Sequence, residues 1–261
     1  MGKRSLVGGL GSIVLVMVLV GGGVTAGATE TNQAAVVVRL DDGFVVTRVV
    51  SFDTPTITGI DLLQGSGLPV VDQNGSLICQ IGPTGCDYPD EPCFCSTHFW
   101  SYWAWDGDSW EFSPIGAAVR QVEDGQVDGW AWSDGTVQLE AIDPVALFDP
   151  TRMAPGYPEL TVGDEAVVIQ VDVAGDADGD GLARLAWRRS EGAWNDAVEM
   201  ARVGKTLRGT LPELAGGSYE MRIQFVDADG INGSSSWQSR FDIAGEWLVW
   251  LPLVYGSGSQ E

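Results

Sequence analysis

The chain contains one histidine, four cysteines and only 14 lysines and arginines against 36 aspartates and glutamates. The single histidine, His98, restricts acid–base chemistry. A Ser-His-Asp relay has only that residue to use, and no Gly-x-Ser-x-Gly elbow is present. The shortage of basic residues leaves a formal net charge of -22. Such a surface repels nucleic acid and anionic membranes. No phosphate-cradling loop or basic patch offsets it. Among so many carboxylates a chance pair beside Trp105 or Trp110 is expected, so a glycan-active enzyme built on one is the weaker alternative. The chain is not expected to be an enzyme.

Long hydrophobic runs are also scarce. The one near the N-terminus, Leu6 to Val24, follows Lys3 and Arg4 and precedes Ala26 and Ala28 at small-residue positions. This order predicts a signal peptide over residues 1–28, cleaved after about Ala28, with an uncleaved anchor as the alternative. The later stretch Trp247 to Val254 is too short to span a bilayer and contains Pro252. The expected location is secreted or on the extracellular cell surface, with no membrane span after cleavage. The remaining chain is too apolar for disorder and long enough for two small domains.

Cys79, Cys86, Cys93 and Cys95 fall within seventeen residues. In an exported chain they predict two disulfides. Neighbours two apart in an extended segment point oppositely, which disfavours a Cys93–Cys95 bridge. Cys79 and Cys86 then join the other two, in an order left open. A four-cysteine zinc site is the alternative, but the spacing lacks the paired CxxC arrangement.

Turn signals divide the rest. AVVVRLDDGFVVTRVVSF reads as a hairpin about Asp42-Gly43, with Val36, Val38 and Leu40 on one face. TGIDLLQGSGL reads as a two-turn helix capped by Thr58 and Asp61. Asn74-Gly75 marks a turn before the cysteine loop. Strands follow around Phe99 to Trp105, Ser109 to Phe112 and Gly129 to Gly135. Residues 35–139 form the expected first domain and the proline-bearing residues 140–158 a linker. Residues 159–244 form a second domain of short alternating strands, and residues 245–261 an apolar strand and tail. The predicted fold class is an α+β first domain, one short helix on a mixed sheet with two disulfides, plus an all-β Ig-like sandwich. Trp187 and Tyr219 have the size to fill the sandwich core.

The aromatic stretch Phe99 to Trp105 alternates Phe99, Ser101, Trp103 and Trp105 with Trp100, Tyr102 and Ala104. Two readings compete. One is a central strand covered on both faces. The other is a ligand cleft walled by some of these rings, which suit sugars or flat organic molecules. The candidate ligand-binding residues are Tyr102, Trp103, Trp105, Trp110, Trp130 and Trp132. Trp110, Trp130 and Trp132 stand near turns and are expected to be the more exposed.

The motifs VVVRLDDG, TGIDLLQGSGL, the glycine-bounded cysteine loop, YWAWDGDSWEFSPIGA and VEDGQVDGW occur in this order. Together they resemble the DUF4430 domain, a relative of the C-terminal β-domain of transcobalamin and intrinsic factor. The resemblance runs from about Ala35 to Gly135 and is narrowest to the cysteine-bearing version in exported proteins of Chloroflexota-type bacteria. It implies a small α+β domain. In the cobalamin carriers this domain closes over a corrinoid with a helical toroid, which has no counterpart ahead of Ala35. A cobalamin-like ligand is the cofactor this implies. The resemblance places Tyr102 to Trp110 and Gly116 to Val119 nearest the ligand-facing side. The second half resembles Ig-like or fibronectin-like surface modules. The closing WLPLVYGS resembles a C-terminal motif of secreted proteins from the same bacteria.

DADGDG places Asp176, Asp178 and Asp180 like the first half of a Ca²⁺ loop. The EF-hand's twelfth acid is replaced by Trp187, so the choice is between a plain hairpin turn and a weak Ca²⁺ site completed by an acid such as Asp229. The sequence as a whole predicts an exported noncatalytic binding module on an Ig-like spacer, its partner a small molecule, a glycan or a surface protein. A structural or adhesive surface protein is the rival.

Overall fold

The computed structural model describes residues 31–137, 139–162, 166–212, 214–227, 236–244 and 247–249. These residues all fall in one compact unit beginning at Thr31. The unit is mostly β, with twenty strands and two short helices among the described residues. The expected signal peptide, Asp229 and residues 250–261 lie outside the described residues.

The first half is organised by a mixed sheet. β1 (Asn32–Arg39) and β2 (Val45–Phe52) form the hairpin about Asp42-Gly43. Gly43 takes φ 82°, the left-handed value that the turn requires, and Asp42 Oδ1 accepts from Phe44 N at 2.9 Å. β1 is apolar at consecutive positions, so it can be buried on both faces. Val36, Val38 and Leu40 enter one core, and Ala35 and Val37 enter a second core behind the sheet.

β3 (Ile57–Thr58) leads into α1 (Gly59–Gly65), where Thr58 and Asp61 form the expected capping box. Seven residues are too few for an isolated helix. Tertiary packing stabilises it, through buried Ile60, Leu62 and Leu63. Three short strands follow: β4 (Val70–Gln73), β5 (Leu77–Ile81) and β6 (Thr84–Gly85), paired in that order. Asn74 and Gly75, at φ 59° and 65°, make the β4–β5 turn. Disulfides join Cys79 to Cys93 and Cys86 to Cys95, which resolves the order left open by the sequence.

β7 (Phe99–Trp105), β8 (Trp110–Phe112), β9 (Gln121–Val122) and β10 (Val127–Ser133) complete this half. The main sheet has the order β2-β1-β10-β7-β8, with β1 and β10 parallel and its other pairs antiparallel, while β9 pairs with β3. The helical part of this half is the single seven-residue α1, and the chain is mostly β rather than an even mix of helix and sheet.

Asp143 caps α2 (Pro144–Leu147), a single turn with proline at its start. Two antiparallel sheets follow. The first contains β11 (Met153–Pro155), β12 (Glu159–Val162), β13 (Val167–Gly175), β16 (Ala201–Val203) and β17 (Thr206–Leu211). The second contains β14 (Leu182–Arg189), β15 (Val198–Glu199), β18 (Gly217–Val226), β19 (Ser236–Ala244) and β20 (Trp247–Val249). Strict alternation sends Tyr219, Met221, Ile223 and Phe225 inward from β18. The sheets face each other closely: a Cβ added at Gly209 on β17 would come within 2.7 Å of Leu185 on β14. Tyr219 is buried in this core as expected, but Trp187 is only half-buried at its margin.

The disulfide order is directly testable. Non-reducing peptide mapping is expected to recover Cys79–Cys93 and Cys86–Cys95 linkages. Replacing Cys79 and Cys93 together by serine is expected to lower unfolding free energy by about 2–4 kcal/mol in urea titrations.

Candidate functional site

The aromatic residues singled out in the sequence do not converge. Alternation along β7 and β10 puts Trp100, Tyr102, Trp130 and Trp132 on the face turned toward α1. There Tyr102 packs on Trp130 at 4.7 Å between centroids, and Trp100 on Trp132 at 5.4 Å. Trp103, Trp105 and Trp110 lie on the opposite face, with Trp105 and Trp110 meeting edge to face at 5.4 Å.

Tyr102, Trp103, Trp110 and Trp130 are buried, and Trp105 and Trp132 half-buried. The expected exposure of Trp110 and Trp130 is therefore corrected. Trp130 sits in mid-strand. Trp110 is roofed by the proline-bearing segment: its Nε1 donates to Glu140 O at 2.7 Å, and Leu139 and Leu147 pack with it. Gly129 makes the fit possible, since a methyl there would overlap both Leu139 and the Trp110 ring. His98 is exposed just before β7, its ring stacked on Trp132 at 6.5 Å.

Beneath α1 lies a polar group that sequence reasoning missed. Asp128 is fully buried on β10, where it accepts from Arg120 Nε at 2.9 Å and from the Tyr102 hydroxyl. Burial pushes its carboxyl above the ordinary range, opposed by Tyr102 and Arg120. Burial also holds the Tyr102 phenol protonated, reinforced by the Asp128 charge. Gly59 allows this approach, because a side chain there would overlap the Tyr102 hydroxyl. The available signal was alternation: Asp128 shares a face with Trp130 and Trp132.

The larger opening lies elsewhere, as a cleft of about 890 Å³ between the main sheet and the second half. One wall is formed by Val38, Leu40, Val46 and Arg48, with Ile81, Gly82 and Pro83 from the β5–β6 turn at its rim. The Cys79–Cys93 bridge anchors the strand leading into that rim. The other wall holds Tyr157, Gln170, Asp172, Thr206 and Trp237. Tyr157 packs edge-on against Phe44 at 6.1 Å and Trp237 at 5.8 Å. Trp237 Nε1 donates to Asp42 Oδ2 at 3.1 Å. Burial raises the Asp42 pKa, partly offset by the Phe44 N–H. It also raises that of Tyr157, so the phenol stays a donor.

The Ca²⁺ candidates do come together: carboxylate oxygens of Asp176, Asp178 and Asp180 lie within 4.8 Å of one another. Asp176 is already engaged, however. Its Oδ1 accepts from Gly181 N at 3.0 Å, and its Oδ2 pairs with Arg202. Asp178 and Asp180 are the two whose carboxylates have no ion pair among the described residues.

Fold and openings together define a β-rich, disulfide-stapled protein with a cleft between its two halves. The family whose model matches is the SCO2322-like domain, over residues 93–210, less than half of the chain. The matched stretch runs from the disulfide loop through β10 and the proline-bearing segment into β17. None of the curated proteins matches. The similarity to the SCO2322-like domain overturns the resemblance to DUF4430 and the transcobalamin β-domain, and with it the basis for a corrinoid ligand. The motifs behind that resemblance included a capped helix and Asp-Gly turns, which local backbone physics produces in many small β domains.

Asp128→Ala leaves Arg120 and Tyr102 facing an empty site and is expected to cost about 3–5 kcal/mol by urea titration. Asp128→Asn tests the sign of the titration. A folded pKa above the unfolded value gives a contribution fully present below the ordinary carboxylate range and lost as pH rises through the folded pKa. The stability of wild type minus that of Asp128→Asn is therefore expected to fall as pH rises above the ordinary carboxylate range. A rise would reverse the assignment.

Proposed function

We propose that this chain is an exported, noncatalytic binding protein whose ligand, a small organic molecule or glycan, occupies the cleft between the main sheet and the second half. The observation that carries this reading is the cleft. Its volume of about 890 Å³ suits a small ligand, and its lining combines apolar walls with a few oriented polar groups. Junctions between structural halves are common places for such sites. Thr206 Oγ1 donates to Asp172 Oδ1 at 2.8 Å, which orients a carboxylate at the cleft wall.

Export is supported by the two disulfides, which persist in oxidising compartments, and by the leader-like residues 1–28. No helix of the described residues is long and apolar enough to cross a membrane. The two facing antiparallel sheets support reading the second half as an Ig-like module, here forming one wall of the site as well as a spacer. The noncatalytic reading is supported by the position of His98, exposed on Trp132 and outside the cleft lining.

Scanning fluorimetry of the mature protein against glycans and small organic molecules tests the reading. A true ligand at a hundredfold its Kd is expected to raise Tm by roughly 5–10 °C. Thr161→Trp, which fills the cleft from an exposed lining position, is expected to abolish the rise. A panel without any shift would leave the structural or adhesive alternative standing. Hydrolysis of a chromogenic glycoside, lost in Asp172→Asn, would overturn the noncatalytic assignment.

A further inference from the structure

A second crevice, of about 390 Å³, is lined by Thr47, Arg48, Asp149, Arg152, Ala154 and Gly175 among others. Arg48 also lines the cleft already described, so its side chain lies between the two openings. Two guanidinium groups meet at Thr47. Arg48 Nη1 donates to Thr47 O at 2.8 Å and to Ala154 O at 3.2 Å. Arg152 Nη1 donates to Thr47 Oγ1 at 2.9 Å.

The sequence separates these arginines by about a hundred residues, and the packing of β2 against β11 brings them together. Among the described residues neither makes a contact ion pair. The three ion pairs among the described residues are Arg120–Asp128, Arg188–Glu220 and Arg202–Asp176. Arg152 Nε is buried and has no acceptor. The acidic residue in the lining is Asp149, and its Oδ1 already accepts from Thr151 N at 2.9 Å and Thr151 Oγ1 at 2.8 Å. Burial lowers the pKa of both arginines, with Asp172 opposing it for Arg48 and Asp227 for Arg152. The chain has 36 acids for 14 bases, yet among the described residues no carboxylate stands at ion-pair distance from these two cations, and Asp172 and Asp227 act on them from further away. A guanidinium fork matches the geometry of an oxyanion, and paired forks match it better.

We propose that this crevice is a binding site for an oxyanion, a carboxylate or phosphate group held between Arg48 and Arg152. Arg152 contributes its guanidinium charge to the crevice lining, while its buried Nε lies without an acceptor. Arg48 supplies charge and a second fork while its Nη1 fastens the two halves through the Ala154 carbonyl. The net charge of -22 opposes an incoming anion at long range. At physiological ionic strength the Debye length is about 8 Å, so distant carboxylates are largely screened and the nearby guanidinium groups dominate. This site shares Arg48 with the proposed ligand cleft but does not depend on that reading.

The test is a thermal-shift titration of the mature protein with inorganic phosphate, sulfate and succinate, each balanced with chloride to constant ionic strength. At least one oxyanion is expected to raise Tm saturably, and comparison of the arms separates phosphate-like from carboxylate ligands. Arg152→Gln is expected to weaken the response at least tenfold. Should that variant fail to fold, Arg152→Lys keeps the charge, loses the fork and must weaken binding instead. The proposal is overturned by a wild-type response no larger than that to chloride. It is equally overturned if the folded Arg152 variant titrates like wild type. Running the series in Thr161→Trp separates the two openings: a retained response belongs to the crevice, and a lost one moves the site to the cleft and overturns the assignment.

Discussion

The main sheet is apolar on both faces, and much of the architecture consists of ways to cover them. Val36, Val38, Leu40 and Val46 all face the same core. At about 1.5–3 kcal/mol per fully buried side chain, leaving these four in water would forfeit roughly 6–12 kcal/mol. That is comparable with the whole stability of a typical domain. α1, the disulfide-linked strands and the second half close this side, and its apolar cluster continues into the core between the two later sheets. Leu139, Ile142, Leu147 and Phe148 from the proline-bearing segment close the other.

Apolar burial is non-directional, so it does not by itself determine register or the angle between the halves. A few buried polar contacts do that. Asp128 can satisfy Arg120 and Tyr102 in one register of β10 against β7 only, because a one-residue slip would move it to the opposite face. Arg48 reaches from β2 to carbonyls of β11, and Trp237 reaches from β19 to Asp42 in the first hairpin. Where these links hold the halves together, the surfaces between them do not close completely, and both openings lie along that junction.

Local features were legible in the sequence because each is decided within a few residues. The Asp42-Gly43 and Asn74-Gly75 turns needed only backbone conformations that few residues adopt easily. The capping box needed Thr58 and Asp61 three positions apart. Alternation assigned the rings of β7 to their two faces correctly, but it could not say whether a face was covered. Trp110 looked like an exposed turn residue and is roofed by Glu140 and Leu139. Asp128, beside a glycine and a turn, carries no local sign of burial and is fully buried. The resemblance to DUF4430 failed for a related reason: its motifs were mostly local turn and cap signals, whereas the family that does match covers residues 93–210 and continues far beyond them.

By itself the sequence determined the turns, the capped helix, the two faces of each strand and the set of four cysteines able to pair. Those outcomes rest on sterics and hydrogen bonds between near neighbours. The tertiary structure decided which cysteine meets which, which indoles are sealed from water, and where two arginines share one residue. The sealed indoles and the shared residue rest on contacts spanning 30 residues for Trp110 and Glu140, 106 for Arg48 and Ala154, and 195 for Trp237 and Asp42. No short stretch of chain contains both members of such a pair, so only the packed molecule could specify them.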